Sequence, residues 1–444
     1  MEKRTAKNYF GTKLPVLLAL LLVAAAGASA EDSAAPPAID KGDTAWVMIS
    51  AALVLLMTPA LALFYAGMVR KKNAVAMTIQ CFTIMALISV QWVLFGYSLA
   101  FGPDMGGMIG GLDWAGLKGV GGAPNADYAA TIPHVLFMLF QAMFAIITPA
   151  LILGAFADRI KFSALLVFTL LWSTVVYDPV CHWVWGVGGW IRSTGALDFA
   201  GGTVVHITAG ISALAAAIVI GRRKGYGDGN MKPHNVPMII LGGGLLWFGW
   251  FGFNAGSALG ANELAANAFL VTNTAAAAAA LAWMLISWLH MGKPNAAGIV
   301  TGGVVGLVAI TPASGFVGPL EAIAIGALGS AASYAAMYLK NKHLRIDDSL
   351  DVFACHGLGG TVGALATGLF ASKAVNAAGA DGLFYGNAGL LWTQFYAVAA
   401  VMAYSFVASI IIFKVLDMTM GLRVSEQEEI VGLDIASHGE EAYA

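Results

Sequence analysis

Charge is what this chain has least of. Only 11% of its 444 residues are Asp, Glu, Lys or Arg, less than half the share of about 25% in an ordinary soluble domain. A water-facing fold of that size would lack the polar surface to cover itself. Neither sign predominates, the formal net charge is -2, and no Lys/Arg-rich arm exists, so the basic field that nucleic-acid binding needs is missing. Cysteine is scarce too. Cys81, Cys181 and Cys355 lie far apart in apolar runs without CxxC spacing, which indicates neither a disulfide framework nor a zinc site; they read as small buried hydrophobes. No nucleophile–base constellation, metal-ligand spacing or phosphate loop ending in Lys-Ser/Thr is present. An enzyme is therefore disfavoured, and no cofactor is implied.

Hydrophobic residues fill the gap, at 59% of the chain with a mean hydropathy of +0.77. Apolar runs recur at about the 20-residue length that a bilayer-spanning helix needs, so the fold class is an all-α polytopic membrane protein. The 54 glycines and the run Ala275 to Ala280 suit close helix packing in lipid. Residues 1–30 read as a signal peptide: basic Lys3, Arg4, Lys7 and Lys13, an apolar core from Leu14 to Ala26, then Ala28-Ser29-Ala30 before Glu31. Residues 31–420 form the membrane domain and 421–444 a polar tail.

Eleven spans are expected, near 44–69, 74–101, 132–157, 162–185, 201–221, 236–256, 264–291, 296–312, 317–340, 354–371 and 389–416. With the mature N-terminus outside, fifteen Lys and Arg fall on the inner side, among them Arg70, Lys71, Lys72, Arg159, Arg222 and Arg223. The outer side holds Lys41, Lys118, Arg192 and Lys373. This is the bias that orients membrane proteins, and it puts the C-terminus in the cytoplasm. His206 with Gly210 and His356 with Gly360 mark a weak internal likeness of the fifth and tenth spans. An odd number of helices per half inverts the second half, so the expected plan is an inverted five-plus-five pseudo-repeat with one extra helix.

Ionisable residues inside spans are functional candidates because hydrocarbon penalises them. Either histidine alone reads equally well as a buried imidazole bonded to a carbonyl. Two at matching places favour a shared site, where one ring donates N–H to the bare nitrogen of the other. Asp198, at the mouth of the fifth span, reads first as a helix N-cap whose field also favours cations. Asp178 lies four residues before His182, and a local pair or a cap is the simpler reading. Phe140, Phe144, Trp185 and the aromatics of 247–253 read mostly as packing or interfacial belts.

Four separated stretches carry a resemblance: Trp247 to Ser257, Gly195 to His206, Asp351 to Gly357, and Leu422 to Gly439. Together they resemble the ammonium transporter (Amt/MEP/Rh) family, bacterial Amt branch, over essentially the whole mature chain. The resemblance implies a homotrimer in the bacterial cytoplasmic (inner) membrane, one eleven-helix pore per subunit, that passes ammonium or ammonia. By position Phe140, Phe144, Trp185 and Ser257 correspond to an outer recruitment site and Phe144 and Phe253 to a stacked phenyl gate. His206 and His356 correspond to twin pore histidines, and Asp198 to the carboxylate grouped with the outer site and needed for conduction. The stretch Gly186 to Trp190 is one residue longer than in some relatives. By composition the tail is a solvated terminus. In the family the similar tail packs on the cytoplasmic face and couples subunits, and a PII-type signal protein plugs the inner vestibule. Rival readings are an ammonium receptor, disfavoured by the some 28 residues after the last span, and a gas or water channel, which needs no Trp185, Ser257 or Asp198 facing outward.

Overall fold

The computed structural model describes residues 38–227 and 231–443; the expected signal peptide, 1–30, lies outside them. Helices dominate, and sequence punctuation explains where they start. α1 (Lys41–Met68), α6 (Val236–Ala258), α7 (Glu263–Met291), α8 (Ala296–Ile310) and α11 (Ala388–Met420) each follow an Asp or Asn. That side chain accepts a backbone N–H of the first turn, relieving one of the orphan donors every helix start leaves. α9 (Pro319–Leu344) opens on Pro319 behind Gly318, as proline's fixed φ and missing N–H allow at a first turn. The remaining long helices are α2 (Lys71–Phe101), α3 (His134–Phe156), α4 (Phe162–Ser193), α5 (Gly202–Ile220) and α10 (Phe353–Phe370). A two-residue hairpin, β1 (Asp104–Met105) with β2 (Ile109–Gly110), folds beyond α2.

Among the described residues ten helices are long and apolar enough to cross a bilayer. The expected eighth span differs. α8 has 15 residues, about 22 Å of helix at 1.5 Å per residue, which is shorter than the roughly 30 Å hydrocarbon layer. Large apolar side chains such as Leu289, Leu320, Trp392 and Met418 point outward, as a lipid-facing surface permits and a water-facing one does not.

Two helices begin in an unusual way. Residues Gly202–Ile207 at the start of α5 and Phe353–Leu358 at the start of α10 are wound as π-helix, the wider turn that often marks functional sites. Each carries one histidine, and each is capped by an aspartate eight residues upstream of it. Asp198 accepts the N–H groups of Gly201, Gly202, Thr203 and Val204 at 2.9, 2.7, 2.8 and 3.1 Å. Asp348 accepts those of Val352 and Phe353 at 3.1 and 2.8 Å. Where α5 and α10 meet, a Cβ on Gly210 would lie 2.0 Å from the Gly357 nitrogen. Only backbone fits between them, and that contact brings the two histidines together.

The tail is not a free terminus, which corrects the reading from composition. Its helix α12 (Glu426–Val431) opens with a capping box between Ser425 and Glu428. Buried Glu429 accepts from Arg423 at 2.6 Å and from the Lys224 backbone at 2.6 Å. Asp434 accepts the N–H groups of Val75 and Ala76 at the start of α2. Acidic residues that composition assigns to solvent instead complete helix ends and an ion pair. Beneath them Arg223 pairs with Asp347 at 2.8 Å. Burial alone would raise the Asp347 carboxyl, but the Arg223 guanidinium holds it below the usual carboxylate range.

Candidate functional site

Three cavities lie in series through the helices. The first, about 230 Å³, opens at the end of the molecule that carries the hairpin, and Phe144, Trp185, Asp198, Ser257, Gln141 and Arg192 help to line it. The second is small, about 20 Å³, and its walls include Ile147, Val205, His206, Trp250, Phe253 and His356. The third, about 740 Å³, opens toward the tail, and His356 reaches it as well, beside Tyr65, Val352 and Cys355.

Between the first and second stand two phenyl rings. Phe144 and Phe253 are 4.4 Å apart by centroid, both buried. Trp185 meets Phe144 edge-on at 5.9 Å, and its indole N–H donates to the Asp198 carbonyl at 2.9 Å. Asp198 thus caps α5 with its carboxylate and fixes the indole with its backbone. Ser257 Oγ donates to the Phe253 carbonyl at 2.8 Å, leaving its lone pairs free to accept. Phe140 is placed differently from the others: it packs edge-on behind Phe144 at 5.0 Å and does not line the first cavity.

In the small cavity the histidines meet Nδ1 to Nδ1 at 3.3 Å, with ring centroids 5.3 Å apart. Trp250 and Phe253 stack on the His206 ring at 5.4 and 5.8 Å. Two Nδ1 atoms at that distance require one proton between them, because one must donate and the other accept. His206 Nε2 is buried and has no partner among the described residues. A buried polar atom without a partner is disfavoured by about 1–3 kcal/mol. Facing a cavity with room for about one small molecule, it marks a place where a hydrogen-bonding solute is welcome.

A family profile described as Ammonium Transporter Family matches residues 45–443. The chain belongs to the ammonium transporter family. That is a family of transporters rather than enzymes. Among curated relatives, it is 53% identical over 403 residues to the ammonium transporter of Bacillus subtilis, covering 90% of this chain and 98% of that one. It is 49% identical over 402 residues to ammonium transporter Amt1 of Archaeoglobus fulgidus, covering 90% and 99%. Among solved structures, Mep2 of Saccharomyces cerevisiae superposes with a TM-score of 0.82 at 36% identity, covering 87% of this chain and 88% of that one. A structure titled Sensor Amt Protein superposes with a TM-score of 0.82 at 31% identity, covering 89% and 98%.

Against that family background, the structure gathers Phe144, Trp185, Asp198 and Ser257 around one cavity and His206, His356 and Phe253 around the next. Gln141 is a wall residue that sequence reasoning passed over. Its Oε1 is buried and has no partner among the described residues, but an uncharged amide escapes a search for ionisable residues in apolar runs. Asp178 is not paired with His182. Gln91 donates to Asp178 at 2.8 Å, while His182 contacts the Ala100 carbonyl and Asp104. The three cysteines are free and buried.

Proposed function

We propose that the chain carries ammonium nitrogen across the bacterial inner membrane, one pore per subunit of a homotrimer, with the Trp185 end outside and the tail in the cytoplasm. In this reading the short helix α8 also crosses the bilayer as the eighth span and brings their number to eleven, and the two capped histidine turns belong to inverted halves. Ammonium is held in the first cavity by Trp185 and Phe144, where a cation over an aromatic face gains roughly 0.5–2 kcal/mol. The Ser257 hydroxyl accepts an N–H, which potassium does not have.

The charge stops at the phenyl pair. Carrying an ion into that dry constriction costs several kcal/mol even after relaxation. A neutral amine pays only a polar-group penalty of about 2–7 kcal/mol, which each hydrogen bond reduces. Ammonia therefore passes Phe144 and Phe253 after leaving its proton behind, and that proton crosses separately. Beyond the phenyls ammonia bonds to His206 Nε2. Because the two Nδ1 atoms share one proton, the outer nitrogens of the pair have opposite character: if one is an N–H donor, the other is a bare acceptor. Ammonia both donates and accepts, so it satisfies the row in either state. Sodium and potassium have no proton to shed.

The observation that carries this reading is the unpartnered His206 Nε2 in the small cavity past the phenyl pair. The test is purified protein in liposomes, given ammonium or potassium at equal concentration. Ammonium-evoked flux and current without a potassium response support the reading, and equal responses overturn it. A PII-type protein at the tail face belongs to the same reading, and co-purification with the trimer tests it.

A further inference from the structure

Asp178 sits deep in α4, just after the π-wound turn Ser173–Tyr177, and is fully buried. Among the described residues one hydrogen bond reaches its carboxylate: Gln91 Nε2, from α2, donates to Oδ2 at 2.8 Å. Among the described residues no Lys, Arg or His forms an ion pair with it. His182, one turn further along, is already engaged with Ala100 and Asp104. The neighbours Thr174, Tyr177 and Cys181 bring no positive charge.

The remaining oxygens of the pair, Asp178 Oδ1 and Gln91 Oε1, are both buried and both unpartnered among the described residues. The amide packs close against Gly96, where an added Cβ would stand 2.4 Å from Gln91 Oε1. An ionised carboxylate here would be a charge in the membrane domain answered by a single neutral N–H, which burial strongly disfavours. It would also leave the amide oxygen without a donor. One proton resolves both deficits: it neutralises the acid and creates the missing donor on the group Gln91 already contacts.

We infer that Asp178 is a resident proton-binding site: a neutral carboxylic acid whose O–H donates to the Gln91 amide oxygen while the Gln91 N–H donates back. The pair clasps α2 to α4 away from the three cavities, none of which it lines.

Infrared difference spectroscopy on the full chain in liposomes tests this without using the pore. The wild-type spectrum minus that of Asp178→Asn is expected to show one protonated-carboxyl C=O band, unchanged from mildly acidic to mildly alkaline medium. Gln91→Leu provides a second route where Asp178→Asn fails to fold. Removing the amide donor is expected to shift that band to higher frequency rather than abolish it. No carboxyl band in either difference spectrum, or a band that appears only when sodium is withdrawn, overturns the proposal. The second result would assign the site to a metal cation. Ammonium flux does not enter these readouts, so their failure leaves the transport reading where it stands.

Discussion

His206 and His356, 150 residues apart in the chain, meet Nδ1 to Nδ1 at 3.3 Å. Replacing either by leucine removes a hydrogen-bonding partner for the solute without adding charge. Losing one such bond in an apolar site is worth about 1–3 kcal/mol, so selective ammonium conduction is expected to fall roughly 5- to 150-fold in His206→Leu and His356→Leu. Flux in liposomes, with potassium as reference, measures it. Undiminished and still selective flux in either variant would defeat the proposed role.

Gly210 sets that meeting. Its missing Cβ would stand 2.0 Å from the Gly357 backbone nitrogen, and backbone cannot swing aside as a long side chain does. Gly210→Ala is expected to destabilise the protein by about 1–3 kcal/mol, the usual range for overpacking, and to lower flux. Gly244→Ala, with nothing within 4 Å of the added methyl, is the control and is expected to behave as wild type. Thermal unfolding in detergent, run beside the flux assay, separates the two.

Asp198 acts as the cap of α5 and the anchor of Trp185. Asp198→Ala strips four N–H groups of their acceptors and is expected to cost about 2 kcal/mol or more, with flux lost as the first turn and the indole loosen. Asp198→Asn keeps one oxygen and is expected to fall between. Melting temperatures that rank wild type, Asn, Ala support the capping role; equal melting for all three contradicts it.

The hairpin reports pH. The hydrogen bond from His182 to Asp104 at 2.8 Å holds the Asp104 carboxyl below its ordinary value. A depressed carboxyl stabilises the folded state above the ordinary carboxylate pKa, and that contribution fades as pH falls through the lower, folded value. Wild-type melting temperature is therefore expected to drop on acidification below about pH 4 more steeply than that of Asp104→Asn. Parallel acid limbs in the two proteins would count against this linkage.

Much of this was legible in the sequence, for identifiable reasons. Long apolar runs give the ten long helices found among the described residues because lipid demands length and hydropathy, and Asp or Asn before a run gives its start. The histidines stand out because ionisable groups in such runs are rare. What stays hidden depends on partners distant in the chain. The π-wound turns under His206 and His356 have no pattern of their own, and the Gly210–Gly357 contact exists only once α5 and α10 cross. Spacing suggests Asp178 with His182, but folding gives His182 to Asp104 and Asp178 to Gln91. Phe140 and Phe144 share a helix face, yet only Phe144 reaches the cavity.

The tail yields the last prediction. Glu429 is buried, binds the Arg423 guanidinium through Oε2 at 2.6 Å and receives the Lys224 backbone N–H on Oε1. Lys72 adds bonds to the carbonyls of Glu429 and Ile430. Glu429→Ala leaves the guanidinium facing no carboxylate and the Lys224 N–H orphaned. Arg423 is part-exposed, so solvent screens some of the loss, and the expected penalty is about 1–3 kcal/mol, felt locally. Hydrogen exchange across 421–443 is expected to accelerate while exchange in α1 and α6 stays slow. Limited proteolysis is expected to cut the variant there first. If the tail amides exchange as slowly in Glu429→Ala as in wild type, the carboxylate is not what docks the tail.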